Sequence, residues 1–277
     1  MIKGVLFDFD NTLYNYDEAN KKALNLLFNY ISIENNINII LIEKEFNQIT
    51  SNIKKSNNCH NKFNKSIYIK NLIESLSLPL EKYFYYKNIY EEEINNSIKL
   101  YCGVIELLEL FHIKKIKMGL ITNNIFEQQI KKLEKLFILK YFDHIISSSE
   151  CGYEKPNVMI FIYAINKMNI AKENLCLIGN DFFNDIEPLK KIGLEGFLFK
   201  NDDSDVLYNN YFSFGSFISL IKFFNLYFKT IEEIEFLSKL FGQSTLNVQG
   251  QGGNISIKLD SLLFIKSSGS ILGNTSN

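Results

Sequence analysis

The sequence predicts an α/β chain: a doubly wound parallel sheet with an inserted helical cap near its start and a partial α/β segment at its end. Two observations carry this. Short apolar runs alternate with segments of helical spacing, which is the pattern of βαβ units. Several of the runs end in Asp, Thr or Gly-Asn-Asp, and in such sheets the ligand crevice lies outside the carboxyl ends of the strands.

"GVLFDFD" at 4–10 is the first strand, with Val5, Leu6 and Phe7 leading into Asp8 and Asp10. Charge at the end of an apolar strand is costly unless something there neutralises it. From Tyr14 to about Leu100 no strand is evident. "EANKKALNLLFNYI" and "LEKYFYYKNIYEEEI" read as helices and the Asn-rich "TSNIKKSNNCHNKFN" as a loop, so 14–100 is expected to be a helical cap over the crevice. "IKMGLITNN" (116–124), "FDHIISS" (142–148), "NLCLIGND" (174–181) and "GLEGFLF" (193–199) follow as strands. "IFEQQIKKLEKLF" and "PNVMIFIYAINKMN" are the helices between them, so 1–13 and 101–200 form the core. After the acidic break "KNDDSD", residues 201–229 read as a linker and an aromatic helix over 212–228. From about 230 a helix and a glycine-rich tail complete the chain.

Composition narrows the function. A net charge of -1 over 277 residues predicts neither a nucleic-acid nor a membrane surface. Arginine is absent, so every cationic role falls to lysine, a point charge without the guanidinium fork. Cys59, Cys102, Cys151 and Cys176 are scattered, which argues against structural zinc and a disulfide framework. The apolar start runs at once into Asp8, and the apolar stretch at 212–228 holds Lys222 and Asn225 and is short for a span. A cytoplasmic protein acting on a small molecule is the expectation.

The acidic residues suggest which molecule. Asp8 and Asp10, two apart at a strand end, can both turn into the crevice. Asp181 and Asp185 add oxygens from another strand end, a hard-ligand set suited to magnesium (Mg2+). Thr122 offers a hydroxyl to an anion. Lys155 precedes Pro156, a residue favoured in the first turn of a helix, where anions bind well.

This ordered set resembles the haloacid dehalogenase superfamily over about residues 1–200. Its first motif, DxDx[TV], is matched by Asp8, Asp10 and Thr12; its second, Ser or Thr closing a strand, looks like Thr122. Its third, a lysine before a helix, looks like Lys155, and its fourth, an acidic pair after a strand, like Asp181 and Asp185. The commonest fourth motif has Asp directly after glycine where this chain has Asn180, so either Asn180 or Asp181 meets the metal. The insertion resembles the helical cap of one large branch.

The resemblance implies a Rossmann-like core and a magnesium-dependent phosphohydrolase working through an aspartyl-phosphate. Asp8 would be the nucleophile and Asp10 the acid–base. Magnesium would be held by Asp8, the Asp10 backbone carbonyl and the Asp181/Asp185 pair, and the phosphate by Thr122, Asn123 and Lys155. A halide leaving group needs no general acid, so Asp10 favours phosphate-ester hydrolysis over dehalogenation. The partner is a small phosphorylated metabolite, with sugar phosphates among the candidates. A phosphoglucomutase-like phosphotransferase shares the motifs, and a non-catalytic phosphate-binding or regulatory module shares the fold.

The tail carries a second resemblance. "GQGGNISIKLDSLLFIKSSGS" at 250–270 looks like the opening of the class II aldolase/adducin family, whose glycine turns cradle a phosphate. That likeness implies a phosphate-like site at Asn254, Ser268 and Gly269. No His follows His144, so the zinc site of that family is missing. Residues 230–277 are expected to be a truncated, inactive segment of a fusion.

Overall fold

The computed structural model describes residues 1–55, 62–202, 204–208, 211–242, 256–259 and 262–265. β1 (Gly4–Phe7) is followed by four helices: α1 (Tyr16–Asn35), α2 (Ile39–Lys55), α3 (Lys65–Ser75) and α4 (Tyr83–Ser97). The chain then runs through α5 (Val104–Ile113), β2 (Lys117–Thr122), α6 (Phe126–Lys135), β3 (His144–Ser147), α7 (Ser148–Cys151) and α8 (Val158–Met168). β4 (Leu175–Gly179) leads through a π-helical turn, Phe182–Ile186, into α9 (Glu187–Lys190) and β5 (Glu195–Phe199). β6 (Val206–Tyr208), β7 (Tyr211–Phe214) and α10 (Phe217–Gly242) come next, then β8 (Ser256–Leu259) and β9 (Leu262–Ile265).

β3, β2, β1, β4, β5, β7 and β6 lie side by side in that order, all parallel except the β6–β7 pair. The strand order reverses between β1 and β4, where a crevice opens at the carboxyl ends. Register makes this exact at the residue level: Phe7 is paired with both Leu120 and Ile178. The residues after β1, β2 and β4 therefore emerge together. The strands are continuous apolar runs because helices cover both faces. Leu6, Ile121, Ile146 and Leu177 share a core with Phe161, Ala164 and Met168 of α8. The Phe7 ring meets Phe111 of α5 at 6.1 Å and Phe142 at 5.9 Å.

The inserted helices pack by simple rules. Asn15 caps α1 by accepting from the Glu18 N–H, and Asp17 and Glu18 lie in its first turn, where the helix dipole favours acid. Ala19, Ala23, Leu27 and Ile31 recur every four residues as its buried stripe, and α4 buries Tyr86, Tyr90 and Ile94. Asn20 joins the two helices by accepting from the Tyr90 hydroxyl at 2.7 Å. The insertion begins and ends side by side, with Tyr14 bridged to Leu100 and the Tyr101 N–H donating to the Leu13 carbonyl at 3.0 Å. Part of the expected Asn-rich loop is helical, because the face marked by buried Ile42 and Phe46 carries α2 on to Lys55.

The stretch read as linker and aromatic helix is different in kind. Tyr211–Phe214 is a strand, and the helix starts only at Phe217. Packing beside β5 decides this: Phe212 pairs with the Phe197 ring at 6.1 Å and Phe214 with Phe199 at 5.4 Å. The strand "YFSF" was hidden by the aromatic run that follows it. The chain divides into two compact units, Ile2–Phe217 and, with Met1, Ile218–Asn277. In the second, Thr230 returns a hydrogen bond to the Leu226 carbonyl at 2.8 Å and β8 pairs antiparallel with β9. Among the described residues no helix is long and apolar enough to cross a membrane.

At the end of β4 close approach requires a glycine. A Cβ on Gly179, the last residue of β4, would stand 2.6 Å from both Cβ and Oδ2 of Asp185. Gly179→Ala is expected to push Asp185 aside and cost about 1–3 kcal/mol in chemical denaturation, as overpacking does. An unchanged midpoint would show that the contact can relax freely.

Candidate active site

Asp8, Asp10, Thr122, Asn123, Lys155, Asn180, Asp181 and Asp185 all line one cleft of ≈ 300 Å³ at the carboxyl ends of the strands. Within it they divide into distinct groups.

The first is an ion triad. The Lys155 ammonium lies 2.5 Å from Asp8 Oδ1 and 2.7 Å from Asp185 Oδ1, and all three residues are buried. One cation thus serves two carboxylates. Burial pushes the Asp8 carboxyl up and the nearby Asp185 adds to this, outweighing Lys155, so Asp8 rises to about 7. Lys155 is held well above its ordinary range despite burial, by Asp185 and Asp8 together. The lysine reaches this position from a loop, since α8 begins at Val158 with Asn157 as its cap. Pro156 therefore stands before the helix rather than in its first turn. Asn123 fixes the loop: its Oδ1 accepts from the Lys155 N–H at 2.7 Å and its Nδ2 donates to the Lys155 carbonyl at 3.0 Å. That clamp occupies the side chain expected to touch phosphate.

The second group surrounds Asp10. Its carboxylate accepts from the Tyr14 hydroxyl, from Asn124 Nδ2 at 2.5 Å, from Gln129 Nε2 at 2.9 Å and from Lys132 Nζ at 2.8 Å. Burial raises its proton affinity, but the Lys132 charge and these donors outweigh burial and hold Asp10 below its usual range. Gln129 Nε2 also donates to Thr122 Oγ1 at 3.0 Å, tying the β1 and β2 ends together. Thr122 Oγ1 accepts again from the Asn124 N–H at 3.1 Å. With two bonds accepted, its own O–H remains as the donor an incoming anion would meet.

Tyr14, Asn124, Gln129 and Lys132 did not stand out in the sequence. A signal was present: Gln129 and Lys132 fall on the same buried face of α6 as Leu133. Buried polar side chains on an apolar stripe imply a polar partner opposite.

The third group lies at the end of β4. Asp181 caps the turn after β4, its Oδ1 accepting from the Phe183 and Asn184 N–H groups at 2.9 and 3.0 Å and its Oδ2 from Asn184 Nδ2 at 2.6 Å. Asp185 Oδ2 accepts from the Asp181 N–H at 3.0 Å. Asn180 instead meets the first motif, its Oδ1 lying 3.0 Å from Thr12 Oγ1, which is 2.7 Å from Asp8 Oδ2. Among the described residues no three His, Cys, Asp or Glu side chains form a metal-holding group. Of the four acids, Asp8 and Asp185 share Lys155, the Asp10 carboxylate pairs with Lys132, and Asp181 caps the turn after β4. Asn254, Ser268 and Gly269 lie outside the described residues.

The triad makes a pH prediction. Asp8 rises above its unfolded value, so between about pH 4 and 7 the folded chain keeps a proton that the unfolded chain has lost. This contribution is present below that window and is lost as pH rises through it. In chelator, Asp8→Asn is expected to melt on the order of 5 °C above the parent at pH 8, with the gap closing towards pH 4. A gap independent of pH would contradict the assignment.

Comparison with known proteins places the chain in a family. Residues 5–198 match the family described as haloacid dehalogenase-like hydrolase. A glyceraldehyde 3-phosphate phosphatase of Methanocaldococcus jannaschii is 29% identical over 207 residues, covering 70% of this chain and 83% of its own. A ribulose-1,5-bisphosphate 5-phosphatase of Halopiger xanaduensis is 26% identical over 216 residues, covering 74% and 88%. Among solved structures, a HAD-hydrolase of Bacillus subtilis bound to magnesium superimposes with a TM-score of 0.62 at 20% identity, covering 81% of this chain and 99% of that one. The family match does not reach the tail, so it lends the aldolase/adducin-like reading no support. Sequence match, sheet topology and strand-end groups agree, and the chain belongs to the haloacid dehalogenase-like hydrolases.

Proposed function

We propose that this protein is a magnesium-dependent phosphohydrolase that cleaves the phosphate monoester of a small sugar or related metabolite. The observation that carries the reading is Asp8 itself, an under-neutralised carboxylate at the end of β1 held between Lys155 and Thr12. The two relatives described above are phosphatases of sugar phosphates, which supports the substrate class.

The donors fit magnesium, which takes one or two carboxylates and keeps open positions for water and phosphate. Asp8, the Asp10 backbone carbonyl and the Asn180 amide oxygen would hold it; Asn180 is preferred to Asp181 because Asp181 already caps the turn. When bound, the ion screens the Asp8 carboxylate from the phosphate.

Asp8 attacks phosphorus, forming a new P–O bond as the ester P–O bond breaks. The departing oxygen takes a proton from Asp10, whose proton affinity the negative phosphate raises against the pull of Lys132. Water then attacks the same phosphorus, Asp10 receives its proton, and Asp8 leaves as the free carboxylate with inorganic phosphate released. Lys155 and the Thr122 O–H face the phosphoryl oxygens, where charge must be stabilised. The helices at 14–100 act as the cap that closes the cleft.

Two measurements test the proposal. Asp8→Asn should lower hydrolysis of a generic phosphate ester by about 10³-fold or more with the circular dichroism unchanged, since the nucleophile is lost. Activity within tenfold of the parent would overturn covalent catalysis. Asn180→Ala should raise the magnesium needed for half-maximal rate at least tenfold, whereas Asp181→Ala should cost about 1 kcal/mol of stability through the lost cap. The reverse pattern would return the metal ligand to Asp181.

A further inference from the structure

Among the described residues three lysines line the cleft, and one of them is spent on the strand ends. Lys155 is neutralised by Asp8 and Asp185. Lys54, at the end of α2, and Lys65, at the start of α3, come from the inserted helices and border the same cleft. Among the described residues neither has a carboxylate within ion-pair distance.

Lys65 is set in an aromatic surround. Its ammonium lies 4.9 Å from the Tyr68 ring centroid and 5.9 Å from that of Tyr16. Burial and the neighbouring Lys54 lower its pKa to about 8, and Asp10 and Asp17 offset this only in part. Two like charges facing one cavity repel, and half-burying one of them adds to the cost. An anion between them would remove both penalties through charge-assisted hydrogen bonds. The reacting phosphate is served by Lys155 at the strand ends, so the insertion holds positive charge for a different group.

We propose that Lys65, aided by Lys54, forms a second anion subsite, which selects phosphate esters carrying a carboxylate or second phosphate away from the ester being cleaved. The proposal rests on the phosphatase reading for its substrate class, while its binding chemistry stands on the cleft alone. A ligand of this kind spans the cavity, its reacting phosphate at Asp8 and its distal anion on the two ammoniums. Tyr16 and Asn20, which also line the cleft, are placed to hydrogen-bond what lies between.

The test compares 3-phosphoglycerate with glycerol 3-phosphate, which differ in the distal carboxylate. The parent should prefer 3-phosphoglycerate, and Lys65→Gln should reduce that preference in kcat/KM at least tenfold, mainly through KM. Lys65→Arg should keep most of it. An unchanged preference, or an equal fall for both esters, would overturn the proposal, the latter by placing Lys65 on the reacting phosphate. A second readout is independent of turnover: calorimetry on Asp8→Asn with 3-phosphoglycerate and with inorganic phosphate. Adding Lys65→Gln should erase the affinity advantage of 3-phosphoglycerate, and a retained advantage would contradict the subsite. If neither ester is hydrolysed by the parent, the phosphatase reading fails while the calorimetry still decides the subsite.

Discussion

Lys155 standing between Asp8 and Asp185 is the contact on which the rest of the site depends. Three ionised groups are buried together with one positive charge for two negative ones. Such a cluster is costly in a low-dielectric interior, and removing the lysine would leave two buried carboxylates uncompensated. The surrounding architecture reads as a set of devices that hold it. Parallel register brings the ends of β1 and β4 together, and Gly179 lets Asp185 come close. Asn123 clamps the Lys155 backbone from the end of β2. The remaining negative charge on Asp8 is the feature a metal ion and a phosphoryl transfer can use.

Asp10 is handled in the opposite way. Four donors surround it, one of them Lys132 in a full ion pair, and Gln129 donates both to it and to Thr122. Two carboxylates separated by one residue therefore have environments that push their proton affinities apart, Asp8 up and Asp10 down. Separation of that kind is how neighbouring acids acquire different roles. Tyr16 and Lys65 of the inserted segment line the same cavity as Asp8 and Asp10.

Much of this was legible in the chain. Apolar runs ending in Asp8, Thr122 and Asp185's turn announced both the parallel sheet and the edge where ligands bind, because burial on both faces leaves a plain hydrophobic signature. Roles that depend on distant partners were hidden. Lys132 looks like any lysine on an amphipathic helix until the fold sets it 2.8 Å from Asp10. Asp181 reads as a metal ligand by position, while in the fold two backbone N–H groups occupy its Oδ1 and the Asn184 side chain its Oδ2. β7 was masked because four mostly aromatic residues run almost directly into an aromatic helix, and only Phe197 and Phe199 on β5 show which side of that boundary they belong to.

The central claim is that Asp8 becomes covalently phosphorylated during turnover. It is tested most directly by quenching the enzyme during steady-state hydrolysis, reducing it with borohydride and sequencing the peptides by mass spectrometry. Homoserine is expected at position 8, dependent on substrate and absent at position 10. Reduction at neither residue, or at Asp10 instead, would contradict it.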